Sequence, residues 1–344
     1  MHSLFSRHRL ARAAAIVLVF SLIAAACSSD SDPESSTLTV YSGRGEDLIQ
    51  PVFDVFEERT GISVDVRYGG SSEMALLIDT EGDRSPADVF ISQSPGAVGF
   101  LEQQGRLATL SDSVVGRVSD DFSGADDRWV GITGRVRVLV YNTDAVDPAS
   151  LPSSFLDLTD PAYAGRVGVA PNNGSFQDFV TAVRSNLGDD ATLAWLEGMA
   201  SNGSPSYPKN SAIVDAVARG EVEMGLVNHY YLVEALEEDP GLPAANHVFP
   251  DGDLGSLLIV SAAAILDSSE NNDAATELLE FLLSDEAQAL SANAEKEYPL
   301  VAGIAQPEGL LPLADLAAAV IDLNVLAGGL SGTQQLIDQS DLAQ

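Results

Sequence analysis

Residues 37–68 read TLTVYSGRGEDLIQPVFDVFEERTGISVDVRY, and this stretch decides the fold. TLTVY (37–41) is a short β-type run. From Leu48 to Glu58 apolar residues recur at Ile49, Val52, Phe53 and Phe56, a helical period that Gly61 stops. ISVDVRY (62–68) then alternates as a half-buried strand does. Strand, helix and strand in succession open an α/β chain.

The same rhythm runs outward from there. Met74–Ile78 is helical after Gly69-Gly70-Ser71-Ser72, ADVFIS (87–92) is a buried strand, and Ala97–Glu102 is helical again. VRVLVY (136–141) and Val167–Ala170 are strands, and Gln177–Arg184 is a helix. A helix over Ser211–Arg219, with Asn210 as its cap, ends at Gly220 and feeds the strand Glu223–Val227. Leu232–Glu237 is helical, Leu257–Ile265 is a long apolar strand and Ala274–Leu283 an amphipathic helix. No period of solenoid or propeller length is present. Two α/β lobes fit 344 residues best.

Charge excludes one class of partner. The chain carries 17 Lys and Arg against 51 Asp and Glu, a net charge of −34, the wrong sign for gripping a phosphate backbone. Nucleic acid is therefore not expected as a partner. The N-terminus runs against this trend, since residues 1–26 hold Arg7, Arg9 and Arg12 and no acid. The apolar run Ala13–Ala26 is too short for a spanning helix of about 20 residues and suits a signal peptide. The only cysteine, Cys27, follows in the sequence AAAC, which resembles the lipobox of bacterial lipoproteins, although Ala24 stands where Leu is usual. That resemblance implies a lipidated Cys27, and SSDSDPESS (28–36) reads as a polar tether. A lone cysteine leaves no intrachain disulfide and no cysteine-ligated zinc or iron–sulfur site.

Catalytic signatures are missing. Beyond the signal segment only His229 and His247 remain, and neither sits in a hydrolase or metalloprotease motif. Gly43-Arg44-Gly45 lacks the third glycine of a dinucleotide fingerprint and the lysine of a P-loop. The chain reads as a binding protein and not an enzyme. Its most informative local run is Asn228-His229-Tyr230-Tyr231, directly after a strand. Side chains at a strand's carboxyl end face the crevice where open α/β sheets hold ligands. A phenol of pKa about 10 ligates well only when a hard, highly charged cation displaces its proton. Ferric iron is such a cation. His229 is left out of the ligand set, because adjacent residues of a strand point to opposite faces.

Several segments in order then resemble the ferric-iron-binding solute receptors of ABC importers. They are YSGRGEDLIQPVFDVFEERTGISV (41–64), GGSSE (69–73), ADVF (87–90), RVLVYNT (137–143), KNS (209–211), NHYY (228–231), SAAAIL (261–266) and EYPL (297–300). The resemblance covers residues from about 37 to about 310, and NHYY with KNS is its most specific part. It implies a bilobal type II periplasmic-binding-protein fold, two α/β lobes joined by hinge strands near Gly131–Val138 and Gly255–Ser261. The N-terminal lobe would take residues 37–135 and 261–311, and the C-terminal lobe residues 136–260 and 312–344. By the same resemblance Tyr230 and Tyr231 bind Fe(III) as cargo, while Asn210, Asn228 and the loop Asn173-Gly174-Ser175 hold a synergistic carbonate or phosphate. A helix start such as Asn173–Ser175 suits an anion.

Two departures stand out. Gly45 occupies the position of the family's histidine ligand and Gln93 that of its glutamate. Glu46 then either lends a carboxylate oxygen or faces solvent beside the cleft, Gln93 and Ser94 line the cleft, and Arg44 is expected to grip the anion. Implied partners are an ABC permease with its ATPase, and the membrane through a lipid anchor, for a monomer on the extracytoplasmic face of a bacterial cell membrane. Thiamine or a phosphonate is the alternative cargo for the same fold.

Overall fold

The computed structural model describes residues 37–343 apart from 314, 315, 317, 327 and 328, so the signal segment, Cys27 and the tether lie outside the described residues. β1 (Thr37–Ser42), α1 (Glu46–Thr60), β2 (Ser63–Tyr68), α2 (Ser71–Glu81), β3 (Val89–Ser92), α3 (Pro95–Gln103) and the single turn α4 (Asp112–Val115) form the first run. β4 (Val130–Asn142), β5 (Val167–Gly168), α5 (Gly174–Leu187), α6 (Asp189–Ser201), α7 (Asn210–Ala218), β6 (Met224–Asn228), α8 (Tyr230–Glu238) and β7 (Ala244–His247) follow. β8 (Leu258–Ile265), α9 (Asn272–Leu282), α10 (Asp285–Glu295), β9 (Tyr298–Pro299) and α11 (Leu330–Gln339) complete the chain.

The α1 periodicity places Ile49, Val52, Phe53 and Phe56 in the core, and Gly61 closes the helix with φ 73°, a left-handed value that glycine takes without strain. The strands lie in the order β2-β1-β3-β8-β4-β6-β5, with β7 and β9 also paired to β4. β1 pairs in parallel with β2 and β3, as β5 does with β6. β4 joins the two groups and changes partner midway. From Val130 to Val136 it runs antiparallel to β8, and from Arg137 to Tyr141 antiparallel to β6. β4 is longer than VRVLVY suggested, since it begins at Val130 and carries Gly131–Val138 as continuous strand.

Each group has its own helices. α1, α9 and α10 bury Phe53, Phe56, Leu278 and Ala287 against β1, β3 and β8. On the other side Trp195 of α6 packs against Phe155, Phe176 and Phe179 with ring centroids 5.3–6.4 Å apart. Such aromatic contacts contribute roughly 0.5–1.5 kcal/mol each beyond area burial, and here they fix α5. α11 is tied to α5 by the Thr181–Thr333 hydroxyl contact at 2.7 Å and by Arg184, which donates to the Gly329 carbonyl at 2.9 Å.

α7 sits close against β6 because Gly225 has no side chain. A Cβ there would stand 2.1 Å from Ile213 Cγ2 and 3.2 Å from the Gly168 carbonyl. Gly225→Ala should therefore cost about 1–3 kcal/mol and push α7, with Asn210 at its head, off the sheet. Thermal denaturation checks this; an unchanged Tm would mean that α7 yields freely.

Candidate functional site

The change of partner along β4 creates the site. Arg135 and Arg137 alternate with Val136 and Val138, so both guanidinium groups leave the same face of the strand. Arg137 lies opposite Asn228 in the β4–β6 ladder and donates to its Oδ1 at 3.1 Å. The same Nη1 reaches Ser175 Oγ at 3.2 Å, and the guanidinium lies over the Phe179 ring, 5.8 Å from its centroid.

α5 presents its N-terminus here for a local reason. Asn173 is an N-cap whose Oδ1 accepts from the Ser175 N–H at 3.0 Å and from the Ser175 hydroxyl at 2.7 Å. Asn210, fully buried at the head of α7, donates to Ser175 Oγ at 2.9 Å. The structure thus brings Asn173, Ser175, Asn210 and Asn228 into one hydrogen-bonded group around Arg137, with Gly174 exposed beside them. Asn210 is not the cap of α7, as the sequence suggested; Lys209 takes that place without a side-chain bond, and Asn210 is the first helical residue. That shift frees its amide for the cluster.

Tyr230 and Tyr231 stand on the first turn of α8, which starts two residues earlier than the apolar pattern indicated. His229 makes the turn, with φ −55° and ψ −38°, so the strand direction is already lost when the tyrosines begin. Their half-buried rings lie 4.3 Å apart between centroids. Burial pushes the Tyr230 phenol up, and Tyr231 and then Glu297 add to this, against the pull of Arg135. Burial lowers Arg137 to about 10, while Tyr231 and Tyr230 favour its charge. The phenols and the guanidinium therefore share one electrostatic site. His229 is spent on structure. Its Nδ1 accepts from the Val136 N–H at 3.2 Å and its Nε2 then donates to the Lys296 carbonyl at 2.8 Å. Burial brings it to about 4, so it is neutral at neutral pH.

Arg135 and Arg137 were not among the sequence candidates. The readable signal was two arginines at alternate positions of an otherwise apolar strand. Both are buried, and among the described residues Arg135 Nη1 with Arg137 Nε and Nη2 have no hydrogen-bond partner. An unpaired buried donor is costly, which marks these atoms as made for an acceptor. Asp178, one turn beyond Ser175 on α5, was also missed. Its Oδ1 accepts from the Ser94 hydroxyl at 3.5 Å.

Arg44 has other partners than the anion expected for it. Its guanidinium pairs with Glu295 and Glu297 and donates to Thr133, all buried. The two carboxylates return from residues more than 250 positions away, which no local pattern reveals. Glu46 is exposed at the head of α1, near enough to Tyr68 to oppose the ionisation of that phenol. Tyr68 itself hydrogen-bonds Gln50 of α1 at 2.7 Å, so this pair belongs to the outer face of the helix. Gln93 is half-buried and its backbone N–H donates to Ser71 Oγ at 2.9 Å; Ser94 caps α3 and meets Asp178.

Among the described residues no three His, Cys, Asp or Glu side chains gather to hold a metal. A cavity of about 250 Å³ lies behind α8, but Val136 and Val138 line it and the arginines do not. It backs the site without opening onto its charged groups.

Residues 84–319 match the bacterial extracellular solute-binding protein family. The chain belongs to that family. Members are binding proteins and not enzymes. The major ferric iron-binding protein of Neisseria meningitidis is 33% identical over 313 residues, covering 90% of this chain and 94% of the relative. The Fe(3+)-binding periplasmic protein of Serratia marcescens is 32% identical over 291 residues, covering 83% and 85%. Among solved structures, iron-bound HitA from Pseudomonas aeruginosa superposes with a TM-score of 0.82 at 34% identity, covering 89% of this chain and 99% of its own. The α/β fold of this solute-binding protein is accordingly the bilobal type II periplasmic-binding-protein fold.

Proposed function

We propose that this protein captures ferric iron with a synergistic oxyanion between two lobes and delivers it to an ABC permease. One observation carries the reading: adjacent phenols on the first turn of α8 share a site with a buried guanidinium whose Nε and Nη2 have no partner among the described residues. The phenols supply hard, anionic oxygens once a cation displaces their protons. Arg137, Arg135 and the Asn173, Ser175, Asn210 and Asn228 group supply donors to an anion such as carbonate or phosphate, which in turn fills coordination sites on the metal. The names of the relatives point to the same cargo.

The lobes would divide at β4 and β8, with residues 37–135 and 261–311 in one and 136–260 and 312–344 in the other. A ligand that bridges both lobes favours the closed state by its differential affinity. Ser94 at the head of α3 meeting Asp178 of α5 is a contact of the kind that closure makes. Lipidation of Cys27 would hold the receptor on the extracytoplasmic face of the membrane, beside its permease and ATPase.

Titration of iron-free protein with a ferric salt in phosphate should produce a visible phenolate-to-iron charge-transfer band. In weak buffer the same titration should release protons, because Tyr230 is held protonated until the metal arrives. Apparent ferric affinity then falls as pH falls. A colourless protein that instead melts higher with thiamine or a phosphonate would assign the cleft to an organic cargo.

A further inference from the structure

We propose that Asp178 selects the anion, admitting oxyanions that carry a proton, such as hydrogenphosphate or bicarbonate, and rejecting fully ionised ones such as sulfate. This rests on the anion subsite of the reading above and deepens it. Ser175 and Asp178 are three residues apart on α5 and so share a face. Ser175 touches Arg137, and Asp178 therefore stands one turn deeper along the same arginine face. No ion pair within 4.0 Å joins Asp178 to Arg135 or Arg137; burial pushes its carboxyl up, and Arg135 first, then the Ser94 hydroxyl and Arg137, pull it back toward the charged form. Carboxylate and guanidinium groups thus interact without closing on one another, and among the described residues three of the buried guanidinium N–H groups lack acceptors.

The carboxylate has one described hydrogen-bond donor, the Ser94 hydroxyl at 3.5 Å. In its ionised form this carboxylate can only accept hydrogen bonds. An oxyanion seated on the arginines would present it with either an O–H, which donates to it, or a bare anionic oxygen, which it repels. The two guanidinium groups attract hydrogenphosphate and sulfate, both dianions, equally by charge. Discrimination must come from the group that needs a proton from its neighbour. A hydrogen bond to a charged group, set against a repulsive contact in its place, corresponds to roughly 10- to 100-fold in affinity.

The test compares inorganic phosphate with sulfate at neutral pH, by calorimetry on iron-free protein and by the charge-transfer band of the ferric form. The unaltered protein should favour phosphate by roughly 10- to 100-fold, and Asp178→Asn should bind the two nearly equally, chiefly by gaining sulfate. Ser94→Ala removes the neighbouring hydroxyl but leaves the carboxylate, and should keep the preference for phosphate. Circular dichroism and the melting curve establish that each variant is folded, and Asp178→Glu, which restores the carboxylate, should restore selectivity in part. Equal binding of phosphate and sulfate by the unaltered protein, or an unchanged ratio in Asp178→Asn, would overturn the proposal. Phosphate selectivity without any ferric band would leave Asp178 its role and overturn the iron reading instead.

Discussion

Tyr230→Phe combined with Tyr231→Phe is expected to abolish the ferric charge-transfer band and to lower ferric affinity by more than about 100-fold for each phenol lost. That bound follows because even a residue that only orients a metal ligand is worth about 10- to 100-fold, and on the proposed ligation the coordinating oxygen itself goes. The variant should remain folded. The rings, 4.3 Å apart, keep their packing, and each substitution removes one half-buried hydroxyl, an effect within about 1 kcal/mol. Absorbance titration with ferric salt in phosphate, read beside a melting curve, separates loss of site from loss of fold. Retention of a visible band in the double variant would refute ligation by this pair. Single variants should each keep a weaker, shifted band, since one phenolate still transfers charge to the metal.

The same two residues show how far the sequence could lead. Residue type alone said only that the phenols could ligate a hard cation, and packing would account for a bare pair as well; the resemblance around NHYY, not the pair itself, singled them out. Their placement was not, because the turn at His229 depends on contacts with Val136 and Lys296 that are remote in the chain. The elements with strong periodicity were readable for a plain reason. In α1 the four apolar positions, and in β3 the continuous apolar run, each have one face or strand to bury, and all are buried in the structure. Arg135 and Arg137 defeat that logic, since arginine in a strand ordinarily marks an edge or a solvent face. Here β4 changes partner between Val136 and Arg137, and the two arginines flank that change, Arg135 paired with Ile259 of β8 and Arg137 with Asn228 of β6. The asparagines became a cluster only when α5, α7 and β6 met, and Gly225 governs that meeting.

Arg44 gives the largest expected effect on stability. Its guanidinium, 1% exposed, is the buried cation bonded to both Glu295 and Glu297, and these lie on the segment that leaves α10 and enters β9. Burial alone would raise the Glu297 carboxyl, yet Arg44 first and Arg135 next hold it below the usual range, with a hydrogen bond from Thr133. Arg44→Met keeps the apolar bulk and removes the charge. Two buried carboxylates then lose their main counterion, and breaking a buried pair in this way costs about 3–5 kcal/mol. Thr133 also faces Ser261 across the β4–β8 ladder, so the damage falls where the two groups of strands are joined. Tm should drop by several degrees. Arg44→Lys should recover only part of the loss, because an ammonium cannot reproduce the planar fork that serves two carboxylates at once. Adding Glu295→Gln and Glu297→Gln to Arg44→Met should recover more, since the buried charges disappear together with their partner. If Arg44→Met melts with the parent protein while losing phosphate affinity, Arg44 belongs to the anion site after all and the buried triad contributes nothing to the join between the lobes.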